Sequence, residues 1–135
     1  MTSFGHKGRL EDERMLKGRG RYVSDWNLPG QAYGFFLRSD RPHAEIASID
    51  SSAALAMHGV VAVLTGDEIA AAGYQSLPAA APMKGRGGAE LLRPHHPMLA
   101  QGRVRYVGEP VALVVAESAA IAQDAAEEVV VEYRD

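Results

Sequence analysis

At 135 residues the chain fits one domain, and a domain of that size buries about two-thirds of the surface its unfolded form exposes. Hydrophobic residues at 47% and charged residues at 23% exclude the low-hydrophobicity, high-charge signature of disorder. A formal net charge of -3 argues against an extended nucleic-acid footprint, and the lack of cysteine excludes disulfides, thiolate nucleophiles and cysteine-held zinc or iron–sulfur centres on these residues.

Residues 1–20 read as a polar arm, and residues 21–135 as the folded domain. The opening "MTSFGHKGRLEDERM" lacks the apolar core of a signal peptide, and no apolar run approaches the roughly 20 residues that span a bilayer. This points to a cytoplasmic protein without a membrane partner. Lys7, Arg9, Arg14, Lys17, Arg19 and Arg21 form the one basic cluster, but Glu11, Asp12 and Glu13 interrupt it. It reads as a solvated, salt-bridged surface rather than a nucleic-acid stripe.

Turn residues Asn27, Pro29 and Gly30 precede an aromatic run, Tyr33 to Leu37, that suits a strand. "HAEIASID" extends into a second. "SSAALAMHG" predicts a short helix capped by Asp50, Ser51 or Ser52, with Gly59 free to turn left-handed past its end. "VVAVLT" returns as a strand, and the Thr65/Glu68 capping-box spacing starts another short helix at Gly66 that stops at Gly73. From Gly73 to Gly102, prolines and glycines break any periodicity, and a loop of that length suits docking on a partner. The last third predicts a strand over 104–107, a Gly108-Glu109-Pro110 break, a strand over 111–116, a helix over 118–128 and a strand over 129–133. In that helix Ile121, Ala122, Ala125, Ala126 and Val129 share an apolar face, while Gln123, Asp124, Glu127 and Glu128 face water.

Candidate chemistry is sparse. His95 and His96 are adjacent in "RPHHPM", a spacing that aims the rings apart and suits shared metal ligation poorly. "KGRGGAE", Lys84 to Glu90, lacks both the full Gly-x-Gly-x-x-Gly spacing and a preceding strand, so it reads as a flexible loop rather than a phosphate cradle. Glu109 could act as an acid or base with His95 or His96. Its setting argues for structure instead: Gly108 permits unusual backbone angles, Pro110 cannot donate to a ladder, and Arg103 and Arg105 offer ion pairs across a strand. No catalytic, cofactor-binding or metal-ligating residue is assigned to this chain.

Three ordered blocks nevertheless carry a resemblance: "RLEDERMLKGRGRYVSDWNLPG", "LRSDRPHAEIASIDSSAALAMHGVVAVLTGDE" and "PMLAQGRVRYVGEPVALVVAESAAIAQDAAEEVVVEY". Together they resemble the N-terminus of the molybdopterin-binding large subunit of the xanthine dehydrogenase, aldehyde oxidase and carbon monoxide dehydrogenase family. The resemblance implies an α+β fold, the α/β hammerhead, with a mixed sheet and short helices. It implies a structural domain that is not catalytic alone, with the molybdopterin-type cofactor on downstream domains and [2Fe-2S] and FAD on partner subunits or domains. The family's pterin-binding and base-acting residues lie downstream, so none is carried onto this chain. Two departures stand out: "SDRPHAE", Ser39 to Glu45, replaces Ser-Pro-His-Ala-His-Ala-Arg, and Ser24 stands where Asp is common. The other reading is an autonomous interaction module that docks through the 73–102 loop.

Overall fold

The computed structural model describes residues 9–76, 84–90 and 94–134, and the chain divides at Gln31/Ala32 into two units. In the first unit, α1 (Asp12–Leu16) lies within the arm where sequence reading foresaw no helix. Its start is held because the Asp12 carboxylate accepts the Arg9 N–H at 2.8 Å. A 3-10 turn, Val23–Asp25, follows, closed by the Asp25 carboxylate accepting from the Tyr22 N–H at 2.8 Å.

In the second unit, β1 (Tyr33–Arg38), β2 (Ala44–Asp50), α2 (Ser52–Ala56), β3 (Val60–Thr65) and α3 (Gly66–Ala71) follow in order. After the long connection come β4 (Arg103–Val104), β5 (Pro110–Ala116), α4 (Ala119–Glu127) and β6 (Val130–Arg134). Among the described residues the strands make two antiparallel sheets of three, in the orders β1-β5-β3 and β4-β2-β6, where the family resemblance implied a mixed sheet.

Local chemistry explains the helix ends. Thr65 Oγ1 accepts the Glu68 N–H at 3.4 Å while Glu68 Oε2 accepts the Thr65 N–H at 2.7 Å, a reciprocal capping box at the foreseen place. At the other end of α3, Gly73 takes φ +86; its N–H donates to Ala70 and the Tyr74 N–H donates to Ile69, which satisfies two carbonyls the helix would leave open. Ser118 caps α4 by accepting the Ile121 N–H at 3.2 Å. For α2 the cap comes from Asp50, whose carboxylate accepts the Ser52 N–H at 2.9 Å. Gly59 is left-handed as foreseen, at φ +85, but it serves the turn from Met57 into β3 rather than the helix end itself.

Helix α4 lies across β1, β5 and β3. Ala122, Ala125, Ala126 and Val129 are buried, and Gln123, Asp124, Glu127 and Glu128 are exposed, as the spacing requires. Small alanines let the helix approach closely, so the first core cluster joins Ala125, Ala126 and Val129 to Ala112 and Val114 of β5, Val63 of β3 and Ala54 of α2. A second cluster, Ala44, Ala100, Val104 and Val111, ties the other sheet to β5, and Ile49 and Val131 touch both. Burial of these residues, at about 25 cal/mol per Å² of apolar area, is the main favourable term.

Candidate functional site

The Gly-Glu-Pro break is a turn, and its residues show why. The foreseen strand over 104–107 is shorter, ending at Val104, because Tyr106 and Val107 already belong to the bend. Gly108 sits at φ +88, a conformation that L side chains rarely adopt. Its N–H donates to the Ser39 carbonyl at 2.7 Å, and the Ser39 N–H donates to the Glu109 carbonyl at 2.9 Å, so the turn is laced to the end of β1. The Arg38 guanidinium adds a bond to the Gly108 carbonyl at 2.9 Å. Pro110 faces Arg38 across a register shift, the position where a residue without an N–H costs the ladder least.

Glu109 is 4% exposed, and its carboxylate is spent inside this turn. One oxygen accepts the Arg105 N–H, and the other lies 3.8 Å from the Arg105 guanidinium. A charged acceptor on a backbone donor closes the bend from within and compensates the burial of the carboxylate. Arg103 does not join it: this guanidinium reaches Glu45 at 2.6 Å, its direct partner in the β2/β4 register. Glu45 thus supplies the opposite charge to a cross-strand pair. Ser39, also buried, exchanges hydrogen bonds with the Arg41 backbone at 3.0 and 3.1 Å.

The histidines lie apart from this turn's chemistry. The His95 ring bonds the Gln101 side chain at 3.0 Å, and the His96 N–H donates to Ser76 Oγ at 2.7 Å; both histidines are exposed. Among the described residues no group of three His, Asp or Glu could hold a metal ion. Lys84 to Glu90 folds back on itself, with the Gly85 N–H donating to the Ala89 carbonyl at 2.7 Å, so that donor is not offered to a phosphate.

A feature that sequence reading missed lies at the far end of the long connection. Residues 97–102 form a strap in which Pro97, Leu99 and Ala100 are buried, and the Ala100 N–H donates to Pro110 at 2.8 Å. The strap crosses the start of α3 so closely that a Cβ on Gly66 would fall 2.2 Å from the Ala100 carbonyl oxygen. Gln101 Nε2 donates to the Gly66 carbonyl at 3.3 Å. The available signal was a glycine at the first position of a helix, where most residues would serve. A groove of about 180 Å³ lies beside this crossing, lined by Ile46, Ser48, Thr65, Asp67, Ala100 and Gly102 among others. Of its polar side chains, Thr65 belongs to the capping box, and Ser48 donates to Glu132 at 2.9 Å. Residues 77–83 and 91–93 of the connection lie outside the described residues.

Comparison with known proteins places this architecture. Residues 17–135 match the family described as aldehyde oxidase and xanthine dehydrogenase, a/b hammerhead domain. The chain is 47% identical over 119 residues to the nicotine 6-hydroxylase large subunit of Paenarthrobacter nicotinovorans, covering 87% of this chain and 14% of that protein. It is 39% identical over 125 residues to the carbon monoxide dehydrogenase large chain of Afipia carboxidovorans, covering 93% of this chain and 14% of that one. The crystal structure of quinoline 2-oxidoreductase from Pseudomonas putida 86 superposes with a TM-score of 0.82 at 44% identity, over 94% of this chain and 15% of that one. The match over residues 17–135, on a fold in which α4 covers β1-β5-β3 and the strap closes on α3, establishes that this chain belongs to the aldehyde oxidase and xanthine dehydrogenase family as an α/β hammerhead domain.

Proposed function

We propose that the chain is a supporting domain of a molybdenum hydroxylase, an oxidoreductase of the xanthine dehydrogenase, aldehyde oxidase and carbon monoxide dehydrogenase type. The observation that carries this reading is the share matched: most of this chain corresponds to only 14% of the large subunits it resembles. Its reactive centre then belongs to other polypeptide. The partners are the molybdenum-binding domains of the large subunit and the iron–sulfur and FAD subunits, and the compartment is the cytoplasm.

The described residues do not fit a molybdopterin. Such a group needs donors converging on a phosphate and a pterin edge, whereas the two buried polar side chains among the described residues, Ser39 and Glu109, are satisfied within their own turns. The Gly85 donor closes on Ala89, and the α3 start is covered by the strap. No step of the hydroxylation is therefore derived through this chain; its residues shape and hold a surface. In this reading residues 1–20 remain an arm and 21–135 the domain proper.

The test combines metal analysis of the purified chain with dye-linked oxidation of aldehydes and N-heterocycles. Molybdenum far below stoichiometry and no turnover are expected, together with capture of the chain by its cognate molybdenum-binding polypeptide. Stoichiometric molybdenum with turnover would overturn the reading.

A further inference from the structure

Helix α3 is held by hydrogen bonds more than by burial. Of its six residues Gly66 alone is buried, and a helix so short does not persist in water without anchors. Its own groups close the two ends, Thr65 with Glu68 at the start and the Gly73 turn at the exit. What fixes it against the sheets is the chain that returns over it. The strap crosses Gly66 at Ala100 and is bonded to both sheets, through the Ala100 N–H to the Pro110 carbonyl and through the Ile46 N–H to the Gly102 carbonyl at 2.9 Å. Just before the strap stand the adjacent histidines, and each of them makes a bond that leads back to α3.

We infer that the histidine pair is a clasp on α3, in which His95 is a positioning residue acting through its ring and His96 acts through its backbone. The donors and acceptors at the helix start admit one arrangement. The Gly66 carbonyl accepts only, so the Gln101 Nε2 group faces it, at 3.3 Å. That turns Gln101 Oε1 to the His95 ring, 3.0 Å from Nε2. An amide oxygen also only accepts, so in the neutral ring the proton sits on His95 Nε2 and leaves Nδ1 bare. Without this donor the Gln101 amide has nothing to fix its rotation, and the tie between strap and helix start slackens. The exit of α3 is held differently. The His96 N–H donates to Ser76 Oγ at 2.7 Å, three residues past Gly73, and any residue with a backbone N–H can make that bond. The clasp thus spans α3, from its start by one side chain to its exit by the next residue's main chain. It stands apart from the functional reading, because every group in it belongs to this chain.

Hydrogen exchange followed by NMR on the full chain tests this, with the Ala72 and Gly73 N–H groups, which donate to the Glu68 and Ala70 carbonyls, as reporters of α3. His95→Ala and Gln101→Ala are each expected to speed their exchange roughly 5-fold, the size of one net hydrogen bond. The double variant should exchange no faster than Gln101→Ala alone, because the two side chains act in series. His95→Gln keeps a donor and should restore most of the protection, and His96→Ala, which keeps the N–H, should leave it unchanged. Long-range nitrogen–proton correlation at neutral pH should place the His95 proton on Nε2. Neither His95 nor Gln101 is buried, so Val114 in the core of β5 should keep its wild-type protection, which separates release of α3 from loss of the fold. An Nδ1–H tautomer at His95, unaltered α3 exchange in His95→Ala, an equal acceleration in His96→Ala, or an acceleration shared by Val114 would each overturn the inference.

Discussion

Replacing Gly66 by Ala should destabilise the domain, against the direction that helix propensity dictates. In a helix Ala exceeds Gly by up to ~1 kcal/mol, so on local grounds the substitution favours α3. The tertiary contact opposes it. The added Cβ would lie 2.2 Å from the carbonyl oxygen and 2.9 Å from the carbonyl carbon of Ala100, both backbone atoms. A carbon–oxygen contact is comfortable only from about 3.3 Å, so strap and helix must part by roughly 1 Å. The strap resists, since Leu99 and Ala100 are buried and the Ala100 N–H is bound to Pro110 at 2.8 Å. Overpacking costs about 1–3 kcal/mol, and against backbone atoms this close the upper part of that range, about 2–3 kcal/mol, applies, which leaves a net loss of about 1–2 kcal/mol after the propensity gain. Urea unfolding followed by circular dichroism should show a lower midpoint at unchanged m, with Tm down by about 4–8 °C. Gly34→Ala is the control: its Cβ meets the Leu113 Cδ1 tip at 3.1 Å, which can rotate away, and the Val114 carbonyl oxygen at an ordinary 3.9 Å, so it should be close to neutral. A Gly66→Ala protein as stable as wild type would falsify the claim that the strap is locked onto α3.

Glu109→Ala should cost about 2–3 kcal/mol, because it strands the Arg105 N–H beside a void, while Glu109→Gln keeps an acceptor oxygen and should cost about half as much; chemical denaturation of both separates the acceptor from the charge. Ser118→Ala removes the acceptor of the Ile121 N–H and should lower stability by about 1 kcal/mol, with Ser118→Asp restoring it. The Ser52 hydroxyl first, and the Ser52 N–H second, hold the exposed Asp50 carboxyl below its ordinary 3.8. This stabilisation is complete above 3.8 and is lost as pH falls through the lower folded value, so NMR should show Asp50 titrating below 3.8 and Asp50→Asn should flatten the acid limb of the stability curve.

Much of the fold was legible one segment at a time. The Thr65/Glu68 spacing, Gly73 and the 3.6-residue apolar face from Ile121 to Val129 all report interactions within a turn or two of chain, where spacing alone decides which groups meet. The bend at Gly108 was legible for the same reason, since a residue without Cβ followed two positions on by one without an N–H admits few alternatives. α1 escaped notice because it has no buried face, so no apolar period marked it. The role of Glu109 was only half legible: sequence reading foresaw a bend with an ion pair, but the acceptor bond to the Arg105 N–H and the lacing to Ser39 needed the turn to be closed first.

By itself, then, the sequence determined the caps, the strand segments, the glycine turns and the family to which their order belongs. Tertiary structure alone decided that the strands part into β1-β5-β3 and β4-β2-β6, that Arg103 chooses Glu45 over Glu109, and that residue 66 must be glycine because Ala100 passes over it. The physical reason is sequence distance. Local hydrogen bonds and periodicity act between residues whose separation the chain itself sets, whereas strand order and close backbone approach join residues dozens of positions apart. The shared burial of Ala44, Ala100, Val104 and Val111, together with the strand ladders, holds such segments together.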